Sequence, residues 1–142
     1  MSAPYEGSCN CGAITATFAS EPMAVRQCWC RKCQKAAAGG PTTNALFATD
    51  TMDLRGAVKW SGYEADSGNT VEQGFCPECG TPIFGRNSAR QGSWMVRLGF
   101  LDGDHGLFPD MAIWLDQAPA WASVPEGIET CATQPAPRPA KS

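Results

Sequence analysis

The chain is poor in charge and has no long apolar run. Charged residues make up 18% of it and the formal net charge is −3. Nucleic acids and acidic membrane surfaces demand a basic footprint, so neither is expected as a main partner. No stretch approaches about twenty apolar residues, so no transmembrane helix is expected. The opening "MSAPYEGSCNCG" lacks the basic n-region and apolar h-region of a secretion signal. A cytoplasmic location is therefore the expectation. A sustained 3.6-residue period is also missing, which points away from helices and towards β structure.

What is present begins with length. At 142 residues the chain suits one domain with a sizeable core. Short segments with strand character are 13–18, 42–48, 57–63, 70–76, 94–100 and 110–116, each bounded by Gly, Pro, Asn, Asp or Ser. In 94–100, alternation places Trp94, Val96, Leu98 and Phe100 on one face. One helix-like stretch, 31–38, stops at Gly39-Gly40-Pro41. The expected fold class is mostly β, small antiparallel sheets with one short helix after the second cysteine cluster. The body is expected to span 1–125, and the proline-containing 126–142 reads as a tail.

Cysteine is abundant: Cys9, Cys11, Cys28, Cys30, Cys33, Cys76, Cys79 and Cys131. Without an export signal these thiols are expected to stay reduced, and cysteines two apart chelate more readily than they bridge. "CPECG" (76–80) has knuckle spacing: Pro77 presets a turn, and Gly80 accepts a positive φ. In "CNCG" (9–12), Cys9 and Cys11 share one side of an extended chain. Together the two pairs supply four thiolates, enough to close a tetrahedral zinc site. "CWCRKC" (28–33) supplies only three, Cys28 and Cys30 on one strand face and Cys33 on the first helical turn. Three protein ligands and an open position are the pattern of a catalytic zinc. Cys131 and His105, the one histidine, are the candidates to close that site. Another grouping of the seven cysteines also stands open. Two zinc ions per chain are the expectation.

Basic residues crowd the second cluster: Arg26, Arg31, Lys32 and Lys35. Arg26, Arg31 and Lys35 are candidate substrate-binding cations, through charge-assisted contacts to carboxylates. Ordinary solvated surface is the competing reading. Trp29, flanked by two metal-facing cysteines, is expected to point the other way, into the core.

"GSCNCG", "CWCRKC", "GFCPECGTPIF" and "IWLDQAPAW", in this order, resemble the glutathione-dependent formaldehyde-activating enzyme family, whose broader group includes centromere protein V. The resemblance covers about residues 5–125. It implies an Mss4-like fold of small sheets clamped by zinc. It also implies a structural zinc on Cys9, Cys11, Cys76 and Cys79, and a second zinc on Cys28, Cys30 and Cys33 with its fourth position open. The implied activity is that of a carbon–sulfur lyase, forming or cleaving an adduct between a thiol such as glutathione and a small aldehyde such as formaldehyde. Proton donors for that chemistry would be water, Asp50, Glu64, Glu72 or His105. Where many family members carry histidine, this chain has Ala112. A non-catalytic zinc module that binds a protein, and a redox enzyme using Cys131, are the alternatives. The expected partners are a small thiol and an aldehyde.

Overall fold

In the computed structural model, residues 3–136 are described. Among them, two sheets form. The smaller runs β1 (Tyr5–Ser8), β2 (Thr15–Phe18) and β5 (Met52–Arg55) in the antiparallel order β1-β2-β5. The larger adds β3 (Ala24–Cys28), β4 (Thr42–Ala48), β6 (Lys59–Glu64), β7 (Thr70–Phe75), β8 (Pro82–Asn87), β9 (Ser93–Arg97), β10 (Met111–Ile113) and β11 (Glu129–Thr130). Its order is β11-β10-β3-β4-β9-β8-β7-β6. The one α-helix, α1 (Arg31–Ala36), follows β3 directly. The mostly β, Mss4-like architecture expected from the sequence is therefore present. Its departure from an antiparallel plan is β10, which runs parallel to both β3 and β11.

The large sheet has two unlike faces, because side chains alternate along each strand. One row aligns Val25, Ala45, Val96 and Phe84 across β3, β4, β9 and β8. All four are buried, and they pack with Ile14, Ala16, Phe18 and Phe47 into the main core between the sheets. Phe18 and Phe47 stack with centroids 4.5 Å apart. The adjacent row, Arg26, Asn44 and Arg97, lies on the opposite face. Cys28 and Thr42 pair in register two residues along, so they share that polar face. A sheet buried with polar residues on one face is unusual, and it is here that α1 sits.

Several expected elements end early, for local reasons. The 13–18 strand begins at Thr15, because Cys9 N–H donates to the Ile14 carbonyl and closes a turn there. The 94–100 strand stops at Arg97; Leu98–Phe100 turn as a 3-10 helix that seats Phe100 fully buried beneath Gly7. The 110–116 strand stops at Ile113, because Trp114 takes a left-handed φ of 60°. Helix α1 ends before the expected residue 38: Ala38 is left-handed at φ 58° and Gly39 returns its N–H to the Gln34 carbonyl.

Within the segment read as a tail, Glu129–Thr130 pair with β10, and Trp114 Nε1 donates to Gln134. Residues 137–142 of that segment lie outside the described residues.

Candidate metal centres

Two thiol clusters form, and each collects the cysteines that the spacing grouped. Cys9, Cys11, Cys76 and Cys79 bring four sulfurs within 4.8 Å of one another; so do the three sulfurs of Cys28, Cys30 and Cys33. All eight cysteines are free thiols.

The first cluster joins the two sheets. Cys9 and Cys11 follow β1, and Cys76 and Cys79 lie in the β7–β8 turn. The two halves are built alike. Cys9 N–H donates to Ile14 O at 3.0 Å, and Cys76 N–H donates to Thr81 O at 3.0 Å. Gly12 returns its N–H to Cys9 O and Gly80 to Cys76 O, at φ of 79° and 77°. Only a residue without a Cβ takes those angles cheaply. Ile14 N–H also points at Cys9 Sγ, 3.3 Å away. The Thr81 hydroxyl and backbone N–H pull the Cys79 thiol down to about 5. Sulfur separations of 3.7 Å for Cys9–Cys11 and Cys11–Cys76 match the roughly 3.8 Å that tetrahedral zinc–sulfur bonds impose. The donor set thus fits one tetrahedral ion.

The second cluster lies on the polar sheet face, at the end of β3. The sequence reading placed Cys28 and Cys30 on one strand; in the structure β3 ends at Cys28, and Cys30 is the N-cap of α1. Its sulfur accepts the Cys33 N–H at 3.2 Å, using a helix-end donor that would otherwise lack a partner. Hydrogen bonds from Cys28, then Cys33, pull the Cys30 thiol down to about 3. Cys28 is pushed up by those same bonds to Cys30 and Cys33, and by burial. One negative charge is readily held here, while three thiolates this close require a dication. The donor set fits a metal ion bound by three sulfurs. Among the described residues no fourth Cys, His, Asp or Glu joins the group.

Neither closing candidate does so. His105 is a loop residue whose Nδ1 accepts the Leu107 N–H at 3.0 Å. Cys131 packs against the apolar cluster of Cys28, Met111 and Ile113 but lies outside the sulfur group. Ala112, at the position where many family members carry histidine, is fully buried in β10. Glu72 is paired with Arg86 at 3.0 Å and shares the Trp60–Gly74–Phe84 side of the sheet, away from the three sulfurs. Trp29 is buried, as expected, and its Nε1 donates to Gln27.

Of the candidate cations, Arg31 and Lys35 are exposed on α1, and Arg31 donates to Gln34. Arg26 is half-buried in β3, in the row of Asn44 and Arg97.

Sequence reasoning missed the residues that face the cluster from other strands. Cys33 is pushed up overall, with Cys28 and then the Thr42 hydroxyl favouring its thiolate against Cys30 and burial. Asn44 Nδ2 donates to Thr42 Oγ1 at 3.0 Å, so the Thr42 proton is left for sulfur. Arg97 Nη1 in turn donates to Asn44 Oδ1 at 2.6 Å. Burial pushes the Arg97 guanidinium down, and the thiolates of Cys33, Cys28 and Cys30 act against it. Tyr63, three residues past Trp60 and so on the opposite face, is pushed up by burial and by these thiols. Lys32 Nζ sits 3.9 Å from its ring centroid. The polar positions in "TTNALFA" were a usable signal for Thr42 and Asn44; nothing local marked Arg97 or Tyr63.

A model of the glutathione-dependent formaldehyde-activating enzymes matches residues 4–117. The chain belongs to that family. A Halomonas elongata protein named "Putative glutathione-dependent formaldehyde-activating enzyme" is 33% identical over 84 residues, 56% of this chain and 54% of that one. The chain thus spans about half the length of this relative. A crystal structure of a Rhodobacter sphaeroides protein shares the fold, with a TM-score of 0.55 at 23% identity over 73% of this chain and 97% of that one. Among the described residues no helix is long and apolar enough to cross a membrane.

Proposed function

We propose that this member of the family is a zinc-dependent carbon–sulfur lyase-type enzyme that forms or cleaves the adduct of a thiol, glutathione or similar, with a small aldehyde such as formaldehyde. The observation that carries the reading is the convergence of Cys28, Cys30 and Cys33 with no fourth protein ligand among the described residues. Family membership and the name of the relative support the same chemistry.

In this reading Cys9, Cys11, Cys76 and Cys79 hold a structural zinc, and Cys28, Cys30 and Cys33 hold the zinc of the reaction. Zinc bound there supplies Lewis acidity that ionises an incoming thiol, which otherwise titrates near 8.5. The chain's own residues do the rest. Cys30, fixed by the Cys33 N–H, and Cys33, fixed through Thr42, set the directions of two sulfurs. Trp114, packed against the cluster, walls the approach. The thiol sulfur adds to the aldehyde carbon, the carbonyl electron pair moves to oxygen, and water protonates that oxygen. Cleavage reverses these steps.

The test is cobalt substitution with the full chain. Addition of glutathione is expected to change the visible spectrum of the three-sulfur site, and Cys30→Ser is expected to abolish adduct formation while the protein stays folded. An unchanged spectrum, with no turnover in metal-replete protein, would identify a zinc module without this activity.

A further inference from the structure

Arg97 is a largely buried charge on the polar sheet face. It rises from β9, and its Nη1 donates to Asn44 Oδ1. Its Nε is buried with no hydrogen-bond partner. Among the described residues no carboxylate lies within ion-pair distance of it, whereas Arg55 and Arg86 each have one. A guanidinium carries five donors, and burying it without an anion is costly. The thiolates of the second cluster offset part of that cost at a distance.

Beside Arg97 lies a cavity of about 190 Å³, lined also by Ala36, Gln73, Phe75, Gly80 and Pro82. Ala36 stands three residues beyond Cys33 on α1, hence on the same helix face. The cavity therefore reaches within one helical turn of Cys33, and it is lined by Phe75 and Gly80, which flank the Cys76–Cys79 turn. Nothing fills the side-chain direction at Gly80, where an added Cβ meets no atom within 4 Å. Gly85 lets the strand pass closely over the guanidinium, since a Cβ there would stand 3.2 Å from Met95 Cε and 3.5 Å from Arg97 Nη2. Such a space takes a short fragment with an acidic end rather than a whole peptide, being below the roughly 300–1,000 Å³ of larger ligand sites.

We propose that the cavity beside Arg97 is an anion subsite that receives a carboxylate of the substrate thiol, making Arg97 a specificity-determining residue. This rests on the open three-sulfur site of the preceding section. The charge balance sharpens it. Three thiolates and one dication leave one negative charge, and a fourth thiolate adds another. A carboxylate arriving as well is repelled unless a buried cation receives it. Arg97 as a mere counter-ion to the cluster would strengthen every thiol alike. An anion subsite strengthens only those with a carboxylate.

Calorimetric titration of the zinc-loaded full chain separates these outcomes. The probes are 3-mercaptopropionate and its neutral amide, which have equal reach. The acid is expected to bind about 10-fold or more tightly than the amide, as a charge-assisted contact would give. In Arg97→Met that preference is expected to fall below about 2-fold, with the amide's affinity kept; Arg97→Lys is expected to retain part of it. Equal binding of both probes by the wild-type chain overturns the subsite while leaving the open site standing, and needs no variant to fold. A parallel loss for both probes in Arg97→Met overturns it in favour of the counter-ion role. A preference that survives Arg97→Met overturns the assignment to Arg97. Failure of both probes to bind at all overturns the open-site reading, and the subsite with it.

Discussion

At the scale of single residues, the chemistry of this protein depends on small geometric permissions. Gly7 is an example. A Cβ there would stand 2.5 Å from the Phe100 ring, which is fully buried. Gly7→Ala is expected to destabilise the fold by about 1–3 kcal/mol through overpacking, read as a lower denaturation midpoint. A midpoint equal to wild type would mean that Phe100 yields freely. Thr42 is a different case, since it acts through Cys33. Thr42→Val removes the hydroxyl on Cys33 and leaves Asn44 Nδ2 without its acceptor. Weaker metal retention at the three-sulfur site is expected, by about 10-fold, the lower end for outer-shell partners. Competition with a chromophoric chelator would measure it, and unchanged retention would remove Thr42 from the site.

At the scale of elements, the two thiol clusters occupy different kinds of place. The four-sulfur cluster bridges the small sheet and the large one, so metal bound there is expected to count as folding energy. Cys76→Ser is accordingly expected to unfold the chain or lower its midpoint far more than Cys30→Ser does, read by circular dichroism on metal-replete protein. Equal effects would mean that the clusters share the clamping role. The loop before β3 is tied differently. Glu21 accepts from the Tyr5 hydroxyl at 2.6 Å and from the Ala3 N–H, and both bonds lower its carboxyl below the usual 4.5. A depressed acid contributes stability above its unfolded value, and that contribution is lost as pH falls through the folded value. The difference in urea midpoint between wild type and Glu21→Gln is therefore expected near pH 7 and is expected to shrink as pH falls below 4.5. A difference that persists in acid would rule out this carboxylate as its source.

At the scale of the whole molecule, β11 changes how the chain end is viewed. Glu129–Thr130 extend the large sheet beyond β10, and Cys131 packs on the apolar cluster beside Cys28. Deleting residues 129–142 is expected to speed metal loss from the three-sulfur site and leave the four-sulfur site intact. Equal metal-release kinetics in the truncated and full chains would show that the end segment has no such role.

The sequence by itself determined which neighbouring sulfurs share a turn, because two- and three-residue spacings oblige them to, and the glycines after Cys11 and Cys79 permit that turn. Spacing leaves open whether the Cys9–Cys11 pair meets the Cys76–Cys79 pair, and the fold decides it. It also determined the β class and the helix after Cys30, since alternation and the Gly39-Gly40-Pro41 stop are local signals. It misplaced Cys30, because strand and cap conformations differ little over one residue. Only the tertiary structure decided that Arg97, Asn44, Thr42 and Tyr63 face the second cluster. Their positions follow from the register of β4 with β9 and β6 with β7, and register is fixed by burying the opposite, apolar face. A strand's partners are chosen by packing across the whole core, and no short stretch of sequence records that choice.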